Sequence, residues 1–124
     1  MFKLDKLIGF LPTKDAKRAR AFFEGTLGLQ FVSDDAYALV MQSGATMIRL
    51  ARAKDFAPVP YTILGWEVQN IESVVSDLKR RGVVFENYPF MQDQELGIWQ
   101  SPGGTKVAWF KAPDGNVLSV SQHA

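Results

Sequence analysis

Residues 15–29 read DAKRARAFFEGTLGL and residues 65–83 read GWEVQNIESVVSDLKRRGV, and the likeness of these two stretches decides the fold. In the first, Ala19, Phe22, Phe23 and Leu27 recur at intervals of three and four, while Lys17, Arg18, Arg20 and Glu24 cover the other side. That spacing predicts an amphipathic helix over 16–27. Thr13 or Asp15 offers an N-cap oxygen, and Gly28 can take the left-handed backbone that ends a helix. In the second stretch Asn70 caps, Val74, Val75 and Leu78 share a face over 71–81, and Gly82 closes the helix.

Outward from each helix the same order repeats. A β-like run over 4–12 precedes the first helix, and short strand-like runs over 29–33, 37–41 and 46–51 follow it. Around the second helix the runs are 61–68, then 83–87, 97–100, 105–111 and 117–121. Pro113-Asp114-Gly115-Asn116 is a hairpin signal, because these residues accept turn geometry that flanking β-branched residues resist. The pattern predicts an α+β protein of two tandem βαβββ modules, about 1–55 and about 59–124. Curved mixed sheets would surround a cleft, with helices on the outer face. Residues 54–60, with Pro58 and Pro60, form a linker too short for two independent domains, and a unit of this size buries little core alone. One domain over 1–124 is expected.

Composition excludes several function classes. Fourteen basic and 13 acidic residues give a net charge of +1, so no broad field draws nucleic acid or an anionic bilayer. The absence of cysteine removes disulfides, thiolate nucleophiles and zinc-thiolate sites. Lys3, Asp5 and Lys6 interrupt the first apolar run, which does not read as a signal peptide, and no apolar run is long enough to cross a bilayer. A cytoplasmic protein without nucleic-acid or membrane partners is expected. With one histidine, His123 near the last residue, Ser-His and Cys-His nucleophiles have no other base to draw on.

The helix ending in an aromatic pair followed by LGL (15–29), the second strand and helix (65–83) and the PDGNV turn (113–117) together resemble the glyoxalase, bleomycin-resistance and extradiol-dioxygenase superfamily, the vicinal oxygen chelate proteins. The resemblance covers nearly the whole chain. It implies a cleft, a homodimer, and in metal-dependent members four ligands: His on the first strand, His or carboxylate on the fourth, His opening the second module, and Glu just after PDGN. Carried over, these positions hold Ile8, Arg49, Ile63 and Ser119, none a usual ligand. Their neighbours Leu7, Gly9, Leu64 and Leu118 are no better. Isoleucine has no lone pair and arginine repels a cation. No metal or other cofactor is expected, and the expectation moves from metal-assisted chemistry toward small-molecule binding, as in the drug-sequestering, antibiotic-resistance branch.

Ligand-binding candidates follow from strand parity. Ile8 and Phe10 share a face; Glu67 shares alternation with Ile63; Trp66 falls on the opposite face, in the core. Arg49, flanked by Met47, Ile48, Leu50 and Ala51, needs a partner: a ligand oxyanion, an internal carboxylate such as Glu67, or solvent at the strand edge. Trp99 and Trp109 either fill the core or stack on a planar ligand, and pairing of Trp109 with Ser119 would favour the second. Residues 101–104 (SPGG) lie between strands and read as a turn rather than a phosphate loop. Lys79-Arg80-Arg81 reads as a solvated helix end.

Overall fold

The computed structural model describes residues 2–91 and 95–124. The chain divides into two compact units, one ending at Ala57 and the other beginning at Pro58. In the first, β1 (Ile8–Thr13) leads into α1 (Ala16–Arg20), a π-helical turn (Ala21–Thr26), and strands β2 (Gln30–Asp34), β3 (Ala38–Ser43) and β4 (Thr46–Arg52). The sheet order is β1-β4-β3-β2, with β1 parallel to β4 and the other pairs antiparallel. β1 and β2 lie at opposite edges, so the helical connection between them must cross the sheet. It covers one face.

Register shows which face that is. Leu11, Leu50 and Leu39 form one cross-strand row, and Gly9, Ile48 and Met41 the next. The large members of both rows are buried, as are Ala16, Ala19 and Phe23 of the helical segment. Asp15 is the N-cap, accepting from the Arg18 amide at 3.2 Å, while Thr13 Oγ1 accepts from the Asp15 amide at 3.3 Å.

The second unit repeats the plan with β5 (Thr62–Glu67), α2 (Ile71–Arg80), β6 (Trp99–Gln100), β7 (Lys106–Lys111) and β8 (Val117–Gln122), ordered β5-β8-β7-β6. Asn70 caps α2 through the Ser73 amide at 3.1 Å, and Gln122 Oε1 takes the Ile71 amide at 2.9 Å. Leu64, Leu118 and Phe110 form one row and Trp66, Val120 and Ala108 another. Ile71, Val75 and Leu78 are the buried positions of α2. Trp66 is half-buried in a row whose other members are buried, as its parity predicts.

Three expectations are corrected. The helix over 16–27 becomes π-helical after Arg20: the Leu27 amide reaches back five residues to the Phe22 carbonyl at 2.9 Å, in a turn that contains the weak helix formers Gly25 and Thr26. The strand over 83–87 shrinks to a single bridge, Phe85 to Phe110, because the chain turns at Pro89 and the Met91 amide bonds the Tyr88 carbonyl at 3.0 Å. The strand over 97–100 shortens to two residues because Gly97 has φ +74°, and its backbone lies so close to Phe85 that a Cβ would meet Phe85 Cβ at 2.9 Å.

Candidate functional site

Each sheet has an open face, opposite its helix and exposed only in part, since Val40 on one and Ser119 on the other are buried, and the two faces carry different chemistry. On the second sheet the hairpin at 113–116 fixes the pairing: the Ala112 amide bonds the Asn116 carbonyl at 3.0 Å, and Trp109 then falls beside Ser119. Gly65 on β5 completes the row Gly65–Ser119–Trp109. A Cβ on Gly65 would lie 2.5 Å from Ser119 Oγ, so only glycine leaves room for that hydroxyl. The next row reads Glu67–Ser121–Val107–Trp99.

Four rings gather here. Trp99 and Trp109 have centroids 6.0 Å apart; Phe90 stands edge-on to both, at 5.8 and 6.1 Å; Tyr88 stacks on Phe90 and meets Trp109 edge-on, each at 5.5 Å. The indoles sit on neighbouring strands of one sheet, so their contact is lateral and forms a continuous aromatic floor. Beside it lies a recess of about 290 Å³, lined by Tyr61, Thr62, Tyr88, Phe90, Trp109 and Val117 among others. Its walls are largely apolar and aromatic, the composition of small-molecule sites, and its size is at their lower limit. A larger hollow of about 530 Å³ lies at the short β6 edge, where the Glu72–Lys106 ion pair (2.7 Å) forms part of its lining.

The sequence reading missed Tyr88 and Phe90 because it placed 83–87 in a strand and gave the residues beyond no role. The signal was present in Tyr88-Pro89-Phe90: a proline that cannot donate to a ladder turns the chain and brings two rings back over the sheet. Ile63 also behaves differently from simple alternation. The β5/β8 register shifts between Thr62 and Leu64, so Thr62 sits beside Val117, in the phase of Ser119 and Ser121. Glu67 is exposed and has His123 Nε2 3.8 Å away; Ser121 Oγ lies 3.1 Å from the same nitrogen. Sharing one nitrogen, the two oxygens do not form a relay through the ring.

On the first sheet the equivalent row is Phe10–Arg49–Val40, and the next is Ile8–Met47–Gln42. Phe10 and Ile8 are exposed, Val40 is buried, and Arg49 is half-buried. Arg49 makes no hydrogen bond or ion pair among the described residues. Asp35, in the turn after β2, is held below the usual carboxylate range by the amides of Ala38 and Tyr37, helped by the charges of Arg49 and Arg52. Arg52 in turn bonds the Asp34 carboxylate.

The four positions to which the resemblance assigns metal ligands do not fit a cation. Ile8 and Ile63 have no donor atom, Ser119 has one neutral hydroxyl, and Arg49 brings a positive charge. No cluster of three His, Asp or Glu residues occurs among the described residues.

Neither the family models nor the curated proteins match this sequence. Solved structures do match in fold. A glyoxalase/bleomycin resistance protein/dioxygenase from Nocardioides superposes with a TM-score of 0.74 at 14% identity, over 99% of this chain and 85% of that one. A lactoylglutathione lyase from Agrobacterium tumefaciens gives 0.73 at 16% identity, over 95% and 92%. A virulence protein from Salmonella typhimurium gives 0.71 at 20% identity, over the full length of both. The chain therefore has the glyoxalase/bleomycin-resistance/dioxygenase fold, two tandem βαβββ modules each built on a four-stranded mixed sheet. No helix among the described residues is long and apolar enough to cross a membrane.

Proposed function

We propose that the chain is a metal-independent small-molecule binding protein of the glyoxalase/bleomycin-resistance type, sequestering an aromatic or anionic compound, an antibiotic among the candidates, in an apolar cleft. The observation that carries this reading is the floor of Tyr88, Phe90, Trp99 and Trp109 beside an apolar recess. Flat rings offer large contact area at little cost in rotamer freedom, and they suit planar, conjugated ligands. On the second unit Ile63 would add apolar area and Glu67 and Ser119 would orient polar groups; on the first, Ile8 and Phe10 would add apolar area and Arg49 would orient a polar group. A cytoplasmic homodimer fits the same reading: Phe2, Leu4 and Leu7, before the first strand, are exposed, and exposed apolar surface favours association.

A lyase, isomerase or dioxygenase using unconventional metal donors is the competing reading, supported by the fold shared with the Agrobacterium lyase. An interaction module whose groove is filled by its own rings is the third, supported by the Trp99–Trp109 contact; the exposure of Phe90 weighs against it.

Titration with planar antibiotics and aromatic acids, followed by tryptophan fluorescence and melting temperature, tests the proposal. A true ligand quenches the indoles and, at a hundredfold excess over its Kd, stabilises the fold by about 2.7 kcal/mol. Trp109→Ala should weaken it by roughly tenfold, about 1.4 kcal/mol. If no compound quenches the indoles or stabilises the fold, the reading fails. A stoichiometric transition metal in protein purified without chelator would favour the enzyme.

A further inference from the structure

Arg49 is the one charged residue between Thr46 and Ala51 on a strand that alternates with core positions Ile48 and Leu50. Packing does not call for a cation there. The residue is half-buried, and among the described residues its side chain has no hydrogen bond or ion pair. The carboxylate that feels its charge, Asp35, is tied to its own turn, where Oδ1 accepts the Tyr37 amide at 2.8 Å and the Ala38 amide at 2.9 Å, and it makes no ion pair with Arg49. A planar fork of N–H donors at the open face of a sheet is shaped for the paired oxygens of an anion.

What surrounds the fork narrows the anion. Phe10, directly across β1 from Arg49, is 66% exposed, and Val40 on the other side closes the floor. One row further, Ile8 and Met47 continue the apolar surface, roughly 6.6 Å along the strands at 3.3 Å per residue. That distance suits one flat ring attached to an oxyanion.

We infer that this face holds an aryl carboxylate, its two oxygens on the Arg49 fork and its ring against Phe10, Ile8 and Met47. The inference rests on the small-molecule reading above and specifies the ligand class. A neutral arene has the ring contact without the fork, and an aliphatic carboxylate has the fork without the ring.

Calorimetry on the full chain at low salt, with 1-naphthoate, neutral 1-naphthamide, 1-naphthalenesulfonate and acetate as probes, tests it. Naphthoate should bind at least roughly tenfold tighter than naphthamide, as expected for hydrogen bonds to a charged group, and acetate more weakly than either. Arg49→Met should reduce naphthoate to the naphthamide level. Arg49→Lys, which keeps the charge and loses the fork, should fall between them, and Phe10→Ala should weaken both naphthalenes by the same factor. Melting curves confirm that the variants are folded. Equal affinity for naphthoate and naphthamide, or naphthoate binding unchanged in folded Arg49→Met and Arg49→Lys, overturns the inference; if the naphthalenes still bind and quench tryptophan, the broader reading survives. Binding by the sulfonate well above the carboxylate overturns the carboxylate assignment. Failure of every naphthalene overturns the inference and counts against the broader reading as well.

Discussion

Two equivalent rows, Phe10–Arg49–Val40 in the first unit and Gly65–Ser119–Trp109 in the second, show how one topology distributes bulk in opposite ways. In the first, the edge strand supplies a ring and the inner strand an aliphatic side chain. In the second, the edge strand supplies no side chain and the inner strand an indole. The central position is a cation in one and a small hydroxyl in the other. The repeat is thus a repeat of backbone and of helix-side core, while the open faces have diverged. Helix-side rows are held to apolar residues by packing; open-face rows are free to take up whatever chemistry a ligand rewards.

The largest expected effect concerns the helix-side rows, where the units should behave alike. Phe23 and Phe110 are both buried, at 1% and 0% exposure, one on the helical segment and one at the centre of a sheet. Phe23→Ala and Phe110→Ala should each cost about 3–5 kcal/mol. Each unit alone is small enough to be marginal, so both variants should shift a single transition. All three tryptophans lie beyond Pro58, so fluorescence reports the second unit and circular dichroism the whole chain. Urea curves from the two probes should coincide. A Phe23→Ala variant that moves the dichroism curve and leaves the fluorescence curve in place would break the likeness into two separate folding units.

An intermediate effect sharpens the contrast between open faces. Adding a methyl at Gly65 forces Ser119 Oγ to move, since the two atoms would be 2.5 Å apart. Gly65→Ala should cost about 1–3 kcal/mol, in the range for overpacking. Removing the hydroxyl relieves most of it, because the next side-chain atom, Ser119 Cβ, lies at an ordinary 3.7 Å. The double variant with Ser119→Ala should therefore recover most of the loss in a chemical-denaturation cycle. Additive losses would mean that the strain lies with the Ser119 carbonyl, 3.3 Å away, and not with its hydroxyl.

The parts legible in the sequence were those with local causes. Asp15 and Asn70 cap because a short oxygen-bearing side chain precedes each apolar period, and the 113–116 turn sets the β7/β8 register without outside help. The parts that were not legible depend on contacts distant in sequence. Residues 83–91 carry strand-like residues, yet they form one bridge, and their rings are positioned by Trp99 and Trp109. The π turn at Ala21–Thr26 keeps the same apolar spacing that an α-helix would show. The bulge at Thr62 to Leu64 shifts phase next to Gly65, whose place inside a strand-like run was the one local mark of an irregularity. The open faces were visible as candidate residues, whereas the aromatic floor depended on a loop whose return path no local pattern encodes.

The smallest effect separates the units by electrostatics. Asp35 in the first and Glu72 in the second both titrate below their ordinary values of 3.8 and 4.5, for different reasons. Asp35 is held chiefly by the amides of Ala38 and Tyr37, and Glu72 chiefly by its hydrogen bond from Lys106. A carboxylate whose folded value lies below its unfolded value binds fewer protons in the folded state. Its stabilisation is complete above the unfolded value and is lost as pH falls through the folded one. Both contributions should therefore fade only below about pH 4.5. The Glu72 contribution is under about 1 kcal/mol, since its side chain is 46% exposed. Carboxyl carbon NMR titration of Lys106→Met should move Glu72 up towards its ordinary value, with the backbone hydrogen bond at Glu72 still lowering it, and leave Asp35 where it was. If Asp35 moved equally in that variant, its low value would come from the charge of the whole chain, and the backbone amides of its own turn would lose the role assigned to them.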